Sequence, residues 1–350
     1  MEVNLGKIPF DLVFHPSSPI LATGLINGDL HLYRYAADSQ PQRILEIHAH
    51  DESCRAARFI DSGRVILTAS ADCSILASDV ETGNSIIHLE DAHEDPVNRL
   101  VNMTENTVAT GDDEGCIKVW DTRERTCCNT FDAHEDYISD MTFVSTSMQV
   151  LATSGDGTLS VCDLRKNKVK AQSEFSEDEP LSIVTMKNGR KVVCGTQTGA
   201  ILLYSWGYFK DCNDRFLGHP MSVTVLKLDE DTLISGADDG VIRLVGILPN
   251  RIIQPIAEHS ECPVEGLAFS HDKKFLGSIS HDQMLKLWDL QELLNSQQNL
   301  PNDHDVGATD SDDDNEMDVD IKPPKSSKGS KRKSKSGAST APGAGFFADL

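Results

Sequence analysis

The stretch Gly115-Cys116-Ile117-Lys118-Val119-Trp120-Asp121 decides the fold. Ile117 and Val119 alternate with Lys118, and a period of two puts apolar side chains on one face of a half-buried strand. Six other segments repeat the pattern of a turn residue, a small alternating strand and a two-residue ending. They are Gly28-Asp29-Leu30-His31-Leu32-Tyr33-Arg34, Cys73-Ser74-Ile75-Leu76-Ala77-Ser78-Asp79, Gly157-Thr158-Leu159-Ser160-Val161-Cys162-Asp163, Gly199-Ala200-Ile201-Leu202-Leu203-Tyr204-Ser205, Gly240-Val241-Ile242-Arg243-Leu244-Val245-Gly246 and Gln283-Met284-Leu285-Lys286-Leu287-Trp288-Asp289. The place of Trp120 is filled at 33, 78, 120, 162, 204, 245 and 288, at intervals of 45, 42, 42, 42, 41 and 43. Near-constant spacing of this length marks one supersecondary unit repeated seven times, each burying its faces against its neighbours.

Working outward, Asp156-Gly157 and Asp239-Gly240 are hairpin signals in which Gly supplies a positive φ. Ten residues before the Trp place stand Thr23, Thr68, Thr110, Ser235 and Ser278, each in or ending another short apolar strand. Each repeat therefore supplies several short strands separated by turns.

With these residues in place, the sequence resembles the WD-repeat family, whose repeats end near Trp-Asp and carry a Gly-His pair upstream. The matching residues are Trp120-Asp121 and Trp288-Asp289 in full, Ser78-Asp79 and Cys162-Asp163 in half, and Gly218-His219 upstream. Ala49-His50, Ala92-His93, Ala133-His134 and Glu258-His259 fill the Gly-His place elsewhere. The resemblance implies an all-β, seven-bladed propeller over residues 1–294, built from four-stranded blades. It also implies a network of His, turn Asp, strand Ser/Thr and Trp in each blade. Only the third repeat, with His93, Thr110 and Trp120, and the seventh, with His259, Ser278, Asp282 and Trp288, approach the full set. The fifth repeat departs most, and its blade is expected to be the least rigid.

The last repeat offers strands near Val264-Phe269, Phe275-Ile279 and Leu285-Trp288, followed by Gln291-Glu292-Leu293-Leu294, which reads as a short helix. An open edge strand invites aggregation. Glu2-Val3-Asn4-Leu5 precedes the first full strand, Phe10-Phe14, and is free to close the ring on blade seven.

Residues 295–350 carry no periodic apolar segment and read as a disordered tail, acidic over 303–320 and basic over 322–335. Lys328, Lys331, Arg332, Lys333 and Lys335 form a candidate nuclear address. Ser311, ahead of three Asp residues, is a candidate phosphosite. The ending Phe346-Phe347-Ala348-Asp349-Leu350 is an apolar segment suited to docking on a partner surface.

The formal net charge is −23, and the tail from 296 holds ten acids against seven bases, so nearly all the acid excess falls on the repeats. An acidic propeller disfavours direct nucleic-acid binding and anionic membranes, which need a basic face. No run of 18 apolar residues and no secretory signal pattern is present, and nine scattered Cys without a Cys-x-x-Cys fit reduced thiols in cytosol or nucleus. The expectation is a soluble, monomeric protein that is not exported.

Ala49-His50-Asp51-Glu52, Ala92-His93-Glu94-Asp95 and Ala133-His134-Glu135-Asp136 each set a His beside two carboxylates. They recur in phase with the repeats, so they read as structural hydrogen-bonding residues and not as metal ligands or an acid/base pair. Asp310-Ser311-Asp312-Asp313-Asp314 begins like a calcium loop, but Asn315 and Ile321 stand where Gly and Glu are needed. No nucleophile, phosphate loop or zinc-protease motif occurs, and no catalytic, cofactor or metal residue is expected. A propeller-based hydrolase is the least favoured function.

Trp120-Asp121-Thr122-Arg123 and Cys162-Asp163-Leu164-Arg165 each place an Arg two residues after the Asp, in neighbouring repeats. Within the WD-repeat family this ending resembles the motif of substrate receptors that dock on the damage-specific DNA-binding protein adaptor of cullin-4 ubiquitin ligases. The resemblance implies docking through Trp120, Asp121, Arg123, Asp163 and Arg165, with the guanidinium groups pairing with carboxylates. The alternative is an Arg that pairs locally. The whole layout, including Pro9-Phe10-Asp11-Leu12-Val13-Phe14-His15-Pro16, is similar to the eukaryotic family of WD-repeat protein fifty-five. That likeness implies a nuclear or nucleolar scaffold, also in cytoplasm, acting in a cullin-4 ligase or, alternatively, in ribosomal RNA processing on pre-ribosomal particles.

Overall fold

The computed structural model of the chain describes residues 1–295. They form seven antiparallel sheets of four strands. Blades one to six span 9–48, 54–89, 97–132, 138–172, 180–217 and 224–258, with strands paired in chain order. Blade seven combines Val264–Phe269, Phe275–Ser280 and Met284–Asp289 with the N-terminal strand Glu2–Asn4. The first strands of neighbouring blades pack side by side, which sets them around the axis of the ring.

The seven repeated segments are the third strands. In blade three Cys116–Asp121 pairs with Thr107–Asp112 on one side and Thr126–Asp132 on the other. Alternation decides which way each side chain points. Leu30 and Leu32 of blade one pack with Phe59, Ile66 and Leu76 of blade two, whereas Tyr33 and Tyr35 join Phe275, Leu285 and Leu287 of blade seven. The apolar core therefore lies between blades, and each blade needs both neighbours.

Closure uses the chain's first residues. Glu2, Val3 and Asn4 stand opposite Lys286, Leu285 and Met284. The Met1 ammonium donates to the Leu287 carbonyl at 2.8 Å, and Leu287 N–H donates back to the Met1 carbonyl at 2.7 Å. Blade seven thus has no bare edge where its third strand ends. The chain then turns into α1, Leu290–Asn295, where the Asp289 carboxylate accepts from Glu292 N–H at 3.0 Å as an N-terminal cap.

The turn before each third strand requires a left-handed residue. Gly115 has φ +84°, and a Cβ there would stand 2.5 Å from the His134 carbonyl oxygen. Cys73 and Gln283 fill the same place in blades two and seven with φ of +68° and +64°, a strain of about 1 kcal/mol each.

Because all first strands run in one sense, the turns after the first and third strands share one face of the ring. The turns after the second strands and the blade-to-blade loops share the other. The Trp-Asp endings lie on the first of these faces.

Candidate interaction face

Blade three shows how the repeat residues make a rigid support. Trp120 Nε1 donates to the Thr110 hydroxyl at 2.8 Å, and that hydroxyl lies 2.7 Å from His93 Nε2. His93 Nδ1 lies 2.7 Å from Asp112, which as a carboxylate only accepts. The proton chain therefore runs from indole to hydroxyl to imidazole to carboxylate, with the Thr110 hydroxyl and the His93 and Asp112 side chains buried. Blade seven repeats it through Trp288, Ser278, His259 and Asp282, at 2.8, 2.8 and 2.9 Å.

Asp112 was not among the residues singled out from sequence. Glu114 occupies the turn place in blade three, and Asp112 reaches His93 from the end of the second strand instead. Blade four departs in another way: Ala152 lacks a hydroxyl, and Ser160 of the third strand bonds His134 Nε2 at 2.8 Å. Blade two uses Thr68, Ser74 and Asp72 around His50. Blade five has no loop His. There the carboxylate of Asp178 accepts from the Thr198 hydroxyl at 2.5 Å and from Arg215 Nη2 at 2.7 Å. In blade six Arg243 takes the Asp239 carboxylate, so His219 keeps only its 2.7 Å bond to Ser235. Burial, then the Arg243 charge, pulls the His219 pKa down to about 4.

The third-strand endings carry Asp121 and Asp163 into tight turns, and Arg123 and Arg165 sit in those turns on adjacent blades. The Asp121 Oδ1 accepts from the backbone N–H of Arg123 and Glu124 at 2.9 and 3.1 Å, and Oδ2 accepts from Arg123 Nη2 at 3.0 Å. The Arg123 side-chain hydrogen bond, followed by the backbone donors, holds the Asp121 pKa down to about 2. The guanidinium is 66% exposed, and exposed pairs of this kind exchange readily for other carboxylates. In blade four the buried Asp163 accepts from Lys166 N–H at 3.1 Å, and Arg165 is exposed with no side-chain partner among the described residues. Asn129 donates to Asn167 at 2.8 Å, tying the Arg165 turn to blade three. Local pairing therefore holds for Arg123 and fails for Arg165.

The same face opens into a cavity of about 580 Å³ between blades two and three. Ile86, Leu89, Val108 and Trp120 line its apolar wall, and Asp121, Arg123 and Arg125 lie on its rim. An apolar cleft that carries Arg123 and Arg125 beside Asp61, Glu105 and Asp121 is suited to a polypeptide that offers apolar side chains flanked by charged groups. Its lining comes from separate strands of two repeats, which is why the sequence did not announce it.

Among the described residues no helix is long and apolar enough to cross a membrane. His93, Asp112 and Cys116 come within metal-ligand range of one another, but both ring nitrogens of His93 already have partners. Burial and the nearby carboxylates push the Cys116 thiol up to about 12, which keeps it protonated. Ser311, Lys328, Lys331, Arg332, Lys333, Lys335 and the Phe346–Leu350 ending lie outside the described residues.

Comparison with known proteins agrees with this geometry. The family model described as WDR55 matches residues 1–293. WD repeat-containing protein 55 of Arabidopsis thaliana is 66% identical over 296 residues, 84% of this chain and 84% of that protein. A WD repeat-containing protein 55 homolog of Dictyostelium discoideum is 40% identical over 83% of this chain and 70% of its own length. The Homo sapiens WD repeat-containing protein 55 is 37% identical over 81% of this chain and 74% of its own.

Proposed function

Because this chain belongs to the WDR55 family of WD-repeat propellers, and so is a protein-interaction scaffold, we propose that its Trp-Asp face docks the damage-specific DNA-binding protein adaptor of cullin-4 ligases, the chain serving as their substrate receptor. The observation that carries the reading is the exposed Arg123 at an apolar cleft, with the unpaired Arg165 in the corresponding turn of the adjacent blade. Asp121 fixes the first turn by accepting from the Arg123 N–H, and Trp120 anchors the strand before it through the network that ends at Asp112. Arg123 and Arg165, in corresponding turns of adjacent blades, each offer a guanidinium group able to pair with a partner carboxylate in bidentate fashion. Co-purification of the adaptor from cells with wild type, and its loss with Arg123→Ala/Arg165→Ala, tests the reading. Retained adaptor in the double variant removes it.

A second reading is a nucleolar assembly factor acting on pre-ribosomal particles, supported by the basic block from Lys328 to Lys335. It places the protein in nucleus and nucleolus as well as cytoplasm, with the block as the address. Deleting residues 322–335 then disperses the protein from the nucleolus. Unchanged nucleolar confinement would show that the block is not the address.

A further inference from the structure

Blade one, like blade five, receives no loop histidine from a preceding blade, and it has no arginine–aspartate pair in its place. Its Thr23 hydroxyl, the counterpart of Thr110, is buried without a hydrogen bond. His31 stands opposite Thr23 in the strand pairing, and its Nε2 is likewise buried without a hydrogen bond. That orphaned nitrogen faces a set of donors laid out by the sheet.

In the pairing of the third and fourth strands, Asp29 stands opposite His48 and His31 opposite Glu46. Leu30 and Ile47 lie between and point the other way, into the core shared with blade two. Alternation therefore puts all four polar side chains on one face of the sheet, as two adjacent cross-strand pairs. One donor atom from each of Asp29, His31 and Glu46 lies within 4.8 Å of the other two. Glu46 Oε1 stands 3.6 Å from His31 Nε2, and His48 Nδ1 stands 2.8 Å from Asp29 Oδ1.

We propose that Asp29, His31 and Glu46 form a zinc site on blade one, with the exposed His48, which now pairs with Asp29, turning in as the fourth ligand. Two imidazoles and two carboxylates are a donor set for a borderline divalent ion and a poor one for calcium or magnesium, which favour all-oxygen shells. The surroundings already orient the donors. The Tyr33 hydroxyl lies 3.3 Å from His31 Nδ1, so an Nδ1–H donated to that oxygen leaves the lone pair on Nε2 facing Glu46. Asn27 holds the second oxygen of Asp29 at 2.5 Å, and Arg43 holds the second oxygen of Glu46 at 3.0 Å. Arg43 adds a positive charge at the rim, which the two carboxylates outweigh. The His31 side chain is 4% exposed while those of Glu46 and His48 are 49% and 66% exposed, so the site has a fixed floor and an open entrance. The His93, Asp112 and Cys116 group differs in that its histidine has no free nitrogen. A bound ion would fasten the third strand of blade one to its outer strand, where the loop histidine of other blades is missing.

The test uses the full chain, stripped with a chelator and titrated with zinc chloride by calorimetry and by thermal melting. Glu46→Gln/His48→Ala changes exposed side chains and leaves the fold intact. The expected result is one zinc per chain in wild type, a melting temperature raised by several degrees, and at least a tenfold weaker affinity with no melting shift in the double variant. No zinc binding by wild type would overturn the site, as would an affinity that the double variant retains within tenfold, which would assign the ion to other groups such as the acidic run 303–320.

Discussion

Thr110 shows what a single hydroxyl does in this molecule. It joins the Trp120 indole to His93, so replacing it with Val leaves two largely enclosed nitrogens without their partner. Each buried polar group left unpaired costs about 1–3 kcal/mol, and Thr110→Val is expected to lower unfolding stability by about 3 kcal/mol in urea melts. His219 carries a pH dependence of definite sign. Its folded pKa of about 4 lies below the ordinary value of 6.5, so the unfolded chain takes up the proton more readily. The stabilisation is complete above pH 6.5 and is lost as pH falls towards 4, by up to about 3 kcal/mol. Stability curves of wild type and His219→Gln should therefore converge as pH falls from 7 to 4; parallel curves would contradict the assignment.

At the scale of the strand and turn, spacing made the third strands legible, and Trp120 and Trp288 made two of the networks legible with them. Even in blade three the carboxylate was not legible, and the other networks were hidden, because different side chains fill the same space: Asp112 for the turn residue, Ser160 for the strand hydroxyl, Asp178 with Arg215 where the histidine is absent. Hydrogen-bond geometry tolerates such exchanges, and a residue pattern read along the chain does not see them. The turn glycine is less replaceable. A methyl at Gly115 would meet the His134 carbonyl and force a left-handed alanine, so Gly115→Ala is expected to cost more than 2 kcal/mol. Cys73→Gly, at the equivalent turn, removes strain and should cost little or nothing in the same chemical denaturation series.

For the molecule as a whole, the ring is closed by its first residues and buries its core between blades. Deleting residues 1–6 removes buried Leu5 and partly buried Met1 and Val3, about 4 kcal/mol of apolar contact, and uncovers the strand Met284–Asp289. The truncated protein should melt earlier and self-associate in sedimentation more than the full chain does. The closing strand could be read from the missing fourth strand of the last repeat, whereas the cleft beside Arg123 arises only when two blades meet. The acid excess of the folded residues suits a partner that offers its own positive surface elsewhere and carboxylates to Arg123 and Arg165. The affinity of the purified cullin-4 adaptor for wild type and for Arg123→Ala/Arg165→Ala, measured at constant salt alongside thermal melts, tests the interaction face most directly. At least tenfold weaker binding with an unchanged melting temperature is the expected result, and equal affinity for the two proteins would contradict it.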